Sequence, residues 1–150
     1  YGTFDLLHVG HVRLLERLKS LGDYLIVGLS SDAFNEKKGK ISVYSFEERA
    51  EIVGSITHVD DVIEERTWGQ KLDDFSKYGV DILAMGDDWS GHFDNYSSYV
   101  DVVYVPRTEG ISTSSTKSVL SQLRNEKIQA VELAAHQLQN RIKELRRYDI

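Results

Sequence analysis

The sequence contains no cysteine, and Pro106 is its only proline. Without cysteine the chain can form no disulfide framework, no thiol nucleophile and no thiolate metal site. It also has no apolar run near the roughly 18 residues of a membrane-spanning helix. Its first residues lack the charged and apolar regions of a signal peptide. We therefore expect a cytoplasmic protein without a membrane span.

Basic residues are in the minority. The chain has 18 lysines and arginines against 24 aspartates and glutamates, which gives a net charge of −6 at pH 7. A general nucleic-acid-binding surface needs clustered basic residues, so we expect no nucleic-acid partner. Cations that hold an anionic ligand must therefore be few and local. A length of 150 residues with 41% hydrophobic content suits about one compact domain with its own core.

The most informative stretch is residues 2–11, which read G-T-F-D-L-L-H-V-G-H. A helix that begins near Val9 would direct its free N–H groups and its positive dipole end at a bound anion, typically phosphate. His8 and His11 would lie one turn apart and could donate to phosphate oxygens. Gly10 has no Cβ, so a triphosphate could approach the backbone closely. A histidine pair that only caps or packs the helix is the alternative.

The pattern of strands and helices predicts an α/β fold with a Rossmann-like, doubly wound parallel sheet of about five strands and flanking helices. Continuous apolar runs predict buried strands at 24–29, 59–63, 81–86 and 100–105. Helices are predicted at 12–21, after a capping box at Ser45, and at 68–78. A basic, mobile loop is predicted at 35–44. The first motif should follow a strand, so we expect that most of strand 1 precedes Tyr1.

The C-terminal part is predicted to be one long helix, from about residue 115 to 147. Its apolar residues are spaced by three and four, as in the seam of a short coiled coil: Ile128, Val131, Ala135, Leu138, Ile142 and Leu145. The seam predicts a homodimer, with a strut to a further domain or packing on its own core as alternatives. We divide the chain into a domain at 1–117 and a helical extension at 118–150.

Two further motifs occur in order after the first, M-G-D-D-W at residues 85–89 and R-T-E-G-I-S-T at 107–113. With them, residues 1–117 resemble the cytidylyltransferase family of the nucleotidyltransferase superfamily, and within it the branch that acts on glycerol 3-phosphate. The resemblance implies transfer of the cytidylyl group of CTP to glycerol 3-phosphate, which gives CDP-glycerol and pyrophosphate. It also implies direct in-line attack without a covalent intermediate, and Mg²⁺ that arrives with CTP rather than on a protein metal site.

The resemblance also assigns roles to residues of this sequence. It implies that four residues act in catalysis: His8, His11, Lys40 and Arg107. The acceptor phosphate is assigned to Asp5, Lys38 and Lys71, and the nucleotide to Thr3, Phe4, Gly10, Asp88, Thr108, Glu109, Gly110, Ile111, Ser112, Thr113 and Ser114. Asp5 and Asp88 are candidates to orient Mg²⁺ or the acceptor, or simply to cap loops.

At one position the sequence departs from the family pattern. The family usually has an arginine in an R-Y-V-D string, and Thr57 stands there instead. A hydroxyl cannot replace the charge and fork of a guanidinium. Either another cation serves, with Arg49 and Arg66 nearest in sequence, or the substrate or strength of the site differs. The alternatives are another polyol or amino-alcohol phosphate, adenylyl transfer, a CTP-binding domain with reduced activity, or an assembly module.

Overall fold

The computed structural model describes residues 1–146, so Arg147 and the side chain of Leu145 lie outside the described residues. The chain divides into two compact units, Tyr1–Thr113 and Ser114–Ile150. The helices are α1 Val9–Lys19, α2 Asp32–Lys37, α3 Phe46–Gly54, α4 Lys71–Tyr78 and α5 Thr113–Arg146, and the strands are β1 Ile26–Ser30, β2 Asp61–Glu65, β3 Ile82–Gly86 and β4 Asp101–Val105. Short 3₁₀ turns cover residues 68–70, 87–89 and 94–96.

The strands are parallel, as predicted, and they form two pairs. In the first pair Ser30 at the end of β1 lies opposite Glu65 at the end of β2. In the second pair Gly86 at the end of β3 lies opposite Val105 at the end of β4. Parallel strands collect the residues that follow them at one edge of a sheet. The predicted site residues that follow strands of the same pair therefore lie at the same edge of that pair.

Residues before α1 lie alongside β1. Gly2 forms a parallel bridge with Leu29, donates its N–H to the Gly28 carbonyl at 2.8 Å and accepts from the Ser30 N–H at 2.9 Å. Gly28 leaves room for this segment, because a Cβ at this position would overlap the Tyr1 ring. Side-chain size at Gly28 thus determines whether the first segment can pair with β1.

The local signals for helices α1, α3 and α4 are confirmed, whereas helix α2 was not predicted. Helix α1 begins at Val9 as expected but ends at Lys19, before Gly22. The predicted capping box at Ser45 is present, and Gly79 ends α4 in the left-handed conformation with φ 61°. Helix α2 extends to Lys37, where a loop was predicted from residue 35.

Two apolar clusters form the core of the first unit. One surrounds β1 and includes Leu15, Val27, Leu29 and Val53, and the other surrounds β3 and includes Phe75, Leu83, Met85, Phe93 and Val100. Leu15 of α1 is fully buried. Truncating it to alanine would cost about 2–5 kcal/mol of stability, so packing of this residue holds the first motif's helix on the sheet.

Helix α5 makes up the described part of the second unit and is 34 residues long. The seam residues from Ile128 to Ile142 are exposed, including Val131 at 69% and Leu138 at 63%. In the part of the chain that the structure covers, no helix has the length and apolar content to cross a membrane. The long C-terminal helix is thus confirmed, whereas its predicted pairing stays a prediction.

Candidate active site

The loop before α1 holds an unusual backbone conformation. Phe4 and Leu6 have positive φ angles of 51° and 46°, which residues other than glycine rarely adopt. Between them the buried Asp5 carboxylate accepts backbone N–H groups from Val43 at 3.0 Å and Tyr44 at 3.2 Å. Strain of about 1–3 kcal/mol per such residue persists only where surrounding contacts impose it. Asp5 supplies part of that support by tying this loop to the loop after α2.

The two histidines of the first motif cap the start of α1. The Gly10 N–H donates to Nδ1 of His8 at 3.1 Å, and the His8 N–H donates to Nδ1 of His11 at 3.3 Å. The rings stack with centroids 4.0 Å apart. Because each Nδ1 accepts, each neutral ring carries its proton on Nε2. His8 Nε2 is buried and has no hydrogen-bond partner among the described residues.

Both imidazoles are held in the neutral form. Burial, followed by the charge of Arg107, lowers the pKa of His8. Burial lowers the pKa of His11 to about 4, with further lowering from His8 and Arg107. Near neutral pH each ring is therefore a neutral donor through Nε2–H. The capping alternative and the phosphate-binding prediction are compatible, because capping uses Nδ1 and leaves Nε2 available.

The loop of the third motif packs against this helix start. A Cβ on Gly10 would lie 2.9 Å from His8 and 2.9 Å from the Ile111 side chain. The Thr113 hydroxyl donates to the Asp5 carbonyl at 3.0 Å. The structure thus brings the first and third motifs together, as the assignment of both to one nucleotide requires.

The other members of the third motif lie along the same loop. Glu109 and Gly110 are exposed, and Gly110 has a positive φ of 77°. Ser112 is half-buried. Ser114 belongs to the second unit. Their assignment to the nucleotide stays a prediction.

Arg107 lies at the exposed end of the same loop. Its guanidinium contacts Asp88 of the second motif at 3.3 Å, and its backbone N–H donates to the Asp87 carboxylate at 3.3 Å. Both side chains of this pair are about half exposed. An exposed pair of this kind contributes little stability, so the guanidinium can exchange Asp88 for a phosphate at small cost.

Sequence reasoning missed Arg17, which anchors this loop to α1. Its guanidinium donates to the Pro106 carbonyl at 2.8 Å and to the Thr108 hydroxyl at 3.3 Å. These partners are about 90 residues away in sequence. No local signal marks such a contact, and an arginine near a helix end is ordinarily interpreted as a response to the helix dipole.

Lys38 and Lys71 come together around a buried glutamate that sequence reasoning also missed. Lys71 is fully buried, and its ammonium contacts Glu65 at 2.5 Å. Glu65 accepts from the Ser30 hydroxyl at 2.7 Å, and Ser30 in turn accepts from Lys38 at 2.7 Å. Lys38 Nζ also lies 3.9 Å from Glu65. The two lysines assigned to the acceptor thus form one cluster, with Lys71 on its inner side.

Burial lowers the pKa of Lys38 to about 8, although the negative charge of Glu65 acts in the opposite direction. Lys40 is exposed, and its backbone N–H donates to the Asn35 carbonyl at 2.9 Å. Lys38 and Lys40 therefore occupy different surroundings although they are two residues apart. This separation agrees with their assignment to different phosphates.

Asn35 and Arg49 connect this cluster to the first motif. The Thr3 hydroxyl donates to Asn35 at 2.9 Å. The Arg49 guanidinium, which is fully buried, donates to the carbonyls of Thr3 at 2.8 Å and Ser30 at 2.9 Å, and pairs with Asp32 at 2.6 Å. Arg49 therefore supports the backbone of the site.

Thr57, where the family usually has arginine, is exposed in the turn before β2. That turn lies at the amino end of the strand, whereas Glu65 lies at its carboxyl end. Arg66 is 74% exposed and pairs with Glu64. Neither candidate replacement cation, Arg49 or Arg66, is a free guanidinium at the position of Thr57.

Comparison with known proteins agrees with this geometry. A cytidylyltransferase-like family model matches residues 1–132, and the chain belongs to this family. A glycerol-3-phosphate cytidylyltransferase of Bacillus spizizenii is 52% identical over 123 residues, which cover 82% of this chain and 95% of that protein. One from Staphylococcus aureus is 52% identical over 120 residues, covering 80% of this chain and 91% of that protein.

A solved structure is also similar. It is the lipopolysaccharide core biosynthesis protein of Thermoplasma volcanium, with a TM-score of 0.65 and 26% identity. The match covers 72% of this chain and 93% of that one. The α/β, Rossmann-like fold class predicted from the sequence is thereby confirmed.

Proposed function

We propose that this protein transfers the cytidylyl group of CTP to glycerol 3-phosphate and releases pyrophosphate. The observation that carries the proposal is the histidine pair at the start of α1. Both Nδ1 atoms accept backbone N–H groups, so both rings offer an Nε2–H donor beside the third motif. The relatives named above, which the chain covers over almost their full length, support the same acceptor.

The reaction needs no protein nucleophile. An oxygen of the acceptor phosphate is already anionic near neutral pH, and it attacks the α-phosphorus of CTP. A new P–O bond forms as the bond to pyrophosphate breaks, so the transition state gains charge on its phosphoryl oxygens. Positioning and charge stabilisation then account for most of the catalysis.

The described side chains suit this task. The pKa values of His8 and His11 are lowered, so both rings are neutral near pH 7. Each can donate one hydrogen bond from Nε2 without first becoming positively charged. Arg107 can add a fixed charge by leaving Asp88. On the acceptor side, Lys38 lies at the outer edge of the lysine cluster, and Lys71 neutralises Glu65 behind it.

Mg²⁺ is proposed to arrive on the triphosphate. This ion keeps several waters and usually binds through substrate phosphates and one or two carboxylates. Asp88 is exposed enough to serve as such a carboxylate, whereas Asp5 already accepts backbone N–H groups. Within residues 1–146 no three histidine, aspartate or glutamate side chains gather as a metal cluster. Bound Mg²⁺ would neutralise part of the charge on the departing pyrophosphate.

A screen for pyrophosphate release tests the proposal. The four nucleoside triphosphates are combined, with Mg²⁺, with glycerol 3-phosphate, other polyol phosphates and phosphoethanolamine. We expect turnover with CTP and the highest kcat/KM with glycerol 3-phosphate. Preference for ATP would contradict the nucleotide assignment. CTP binding without turnover on any acceptor would instead favour a domain with reduced activity.

A further inference from the structure

Four aromatic rings surround the ammoniums of Lys38, which is partly buried, and Lys71, which is fully buried. The Lys38 ammonium lies 4.3 Å from the Phe34 ring centroid and 5.5 Å from that of Trp68. The Lys71 ammonium lies 4.2 Å from the Tyr1 ring, 5.3 Å from Trp68 and 5.5 Å from Phe93. We call these four rings, from Tyr1, Phe34, Trp68 and Phe93, the aromatic box. Such boxes ordinarily bind the ammonium group of a ligand.

Here the protein fills the box with its own cations. Glu65 holds Lys71 directly at 2.5 Å and holds Lys38 through the Ser30 hydroxyl, with two contacts of 2.7 Å. The two ammoniums and the one carboxylate that contacts them, Lys38, Lys71 and Glu65, together carry a net charge of +1, while Asp74 accepts from the Tyr1 hydroxyl at 2.8 Å. A phosphate is attracted to this charge. A further ammonium is repelled by it, and the ring faces that could bind an ammonium already contact the two lysines.

We infer that Glu65 is a positioning residue that keeps both lysines in the aromatic box, and that the filled box makes the acceptor subsite select phosphate esters of uncharged alcohols over those of amino alcohols. The inference rests on the proposed function, since it concerns the acceptor of that reaction. It identifies the physical cause of the choice between two acceptor classes that the sequence left open.

Binding can be measured without turnover, because both tryptophans of the chain lie at the box. Trp68 is part of it, and the Trp89 ring lies 6.0 Å from the Trp68 ring. Titration of intrinsic fluorescence should give a Kd at least about tenfold lower for glycerol 3-phosphate than for phosphoethanolamine, the scale of one lost or gained cation contact. Equal Kd values in the wild-type protein would overturn the inference, whether or not the protein turns over CTP.

Lys38→Met tests the filled box directly. The substitution keeps an unbranched side chain of similar length but removes the cation from the Phe34 ring. We expect the ratio of the two Kd values to fall by about tenfold. Lys37→Met, at the exposed neighbouring residue, is the matched control and should leave the ratio unchanged. An unchanged ratio in Lys38→Met would refute the role of the box.

Glu65→Gln tests positioning. It keeps the size of the side chain and removes its charge, so the KM for glycerol 3-phosphate should rise about tenfold while the KM for CTP changes by less than about twofold. The charged groups that act on Lys38 are Glu65 of β2, Lys71 of α4, Arg49 of α3 and Lys40 of the loop after α2. Only Glu65 raises the pKa of Lys38. In Glu65→Gln this pKa should fall, so Lys38 should lose its proton, and acceptor binding should weaken, at a lower pH than in the wild type.

Glu65→Asp keeps the charge and should keep that pH profile near the wild-type position. In Glu65→Gln, a purely structural role for Glu65 would raise both KM values together and leave the pH profile in place, which would refute positioning. If Glu65→Gln does not fold, the ratio of Kd values in Lys38→Met still decides the outcome. Absence of turnover with normal binding selectivity would contradict the proposed function alone.

Discussion

Gly10→Ala should separate activity from stability at the contact between the first and third motifs. The added Cβ would lie 2.9 Å from His8 and from Ile111, whereas carbon atoms pack at roughly 3.5–4.0 Å. Each neighbour must therefore move by about 0.6 Å or more. Overpacking of this kind costs about 1–3 kcal/mol, and alanine's better helix propensity returns up to about 1 kcal/mol. The net loss of stability should therefore stay below about 3 kcal/mol.

The effect on catalysis should be larger. The displaced His8 ring carries a proposed phosphate donor, and misplacement by about 1 Å can cost about 10²-fold in rate. We expect kcat/KM for CTP to fall by about 10- to 100-fold, measured by pyrophosphate release, while urea denaturation stays cooperative. Gly22→Ala is the control, because a Cβ at Gly22 meets open space. It should leave kcat/KM within about twofold of the wild-type value and the urea denaturation curve unchanged. Normal turnover in Gly10→Ala would refute the close approach as a requirement of the site.

Three further predictions follow from the same geometry. His11→Asn retains an acceptor near the position of Nδ1 but lacks the Nε2 donor, so kcat should fall by about 10²-fold with little change in melting temperature; turnover within about threefold would favour a packing role. Lys38→Ala should raise the KM for the acceptor and Lys40→Ala the KM for CTP, and kcat/KM for the acceptor should decline above about pH 8 as Lys38 loses its proton. Leu138→Asp with Ile142→Asp should lower the mass measured by light scattering if α5 forms the predicted homodimer; an unchanged mass with loss of the catalytic fold would indicate packing on the chain's own core.

Short-range signals predicted the elements that depend on neighbouring residues. The capping box at Ser45 needs only the residue three positions later, and Gly79 ends α4 through its own backbone conformation. Helix α2 was missed because the polar composition of residues 35–44 favoured a loop. In the folded chain Asn35 is almost fully buried. Its side-chain amide accepts a hydrogen bond from the Thr3 hydroxyl and donates one to the Ser42 hydroxyl.

The candidate site was predictable only where a motif carried it. Glu65 and Arg17 were missed, and Arg49 was named only as a possible replacement for the family's arginine, because their partners lie far away in sequence, such as Ser30 for Glu65 and Thr3 for Arg49. A charged residue at a strand end or within a helix is usually solvated. Burial of such a residue depends on which strand ends become neighbours, and periodicity does not report that.

The buried pair of Glu65 and Lys71 restricts how this protein can change through single mutations. Loss of either partner leaves an uncompensated buried charge, which costs about 3–5 kcal/mol, a large share of the roughly 5–15 kcal/mol that keeps a domain folded. Replacement of both by apolar residues of similar size can be neutral or stabilising. The route from this protein to a more stable one without the pair therefore passes through single mutants that fold poorly. Neutral drift one residue at a time should retain the pair, even in a lineage where selection on the acceptor has been relaxed.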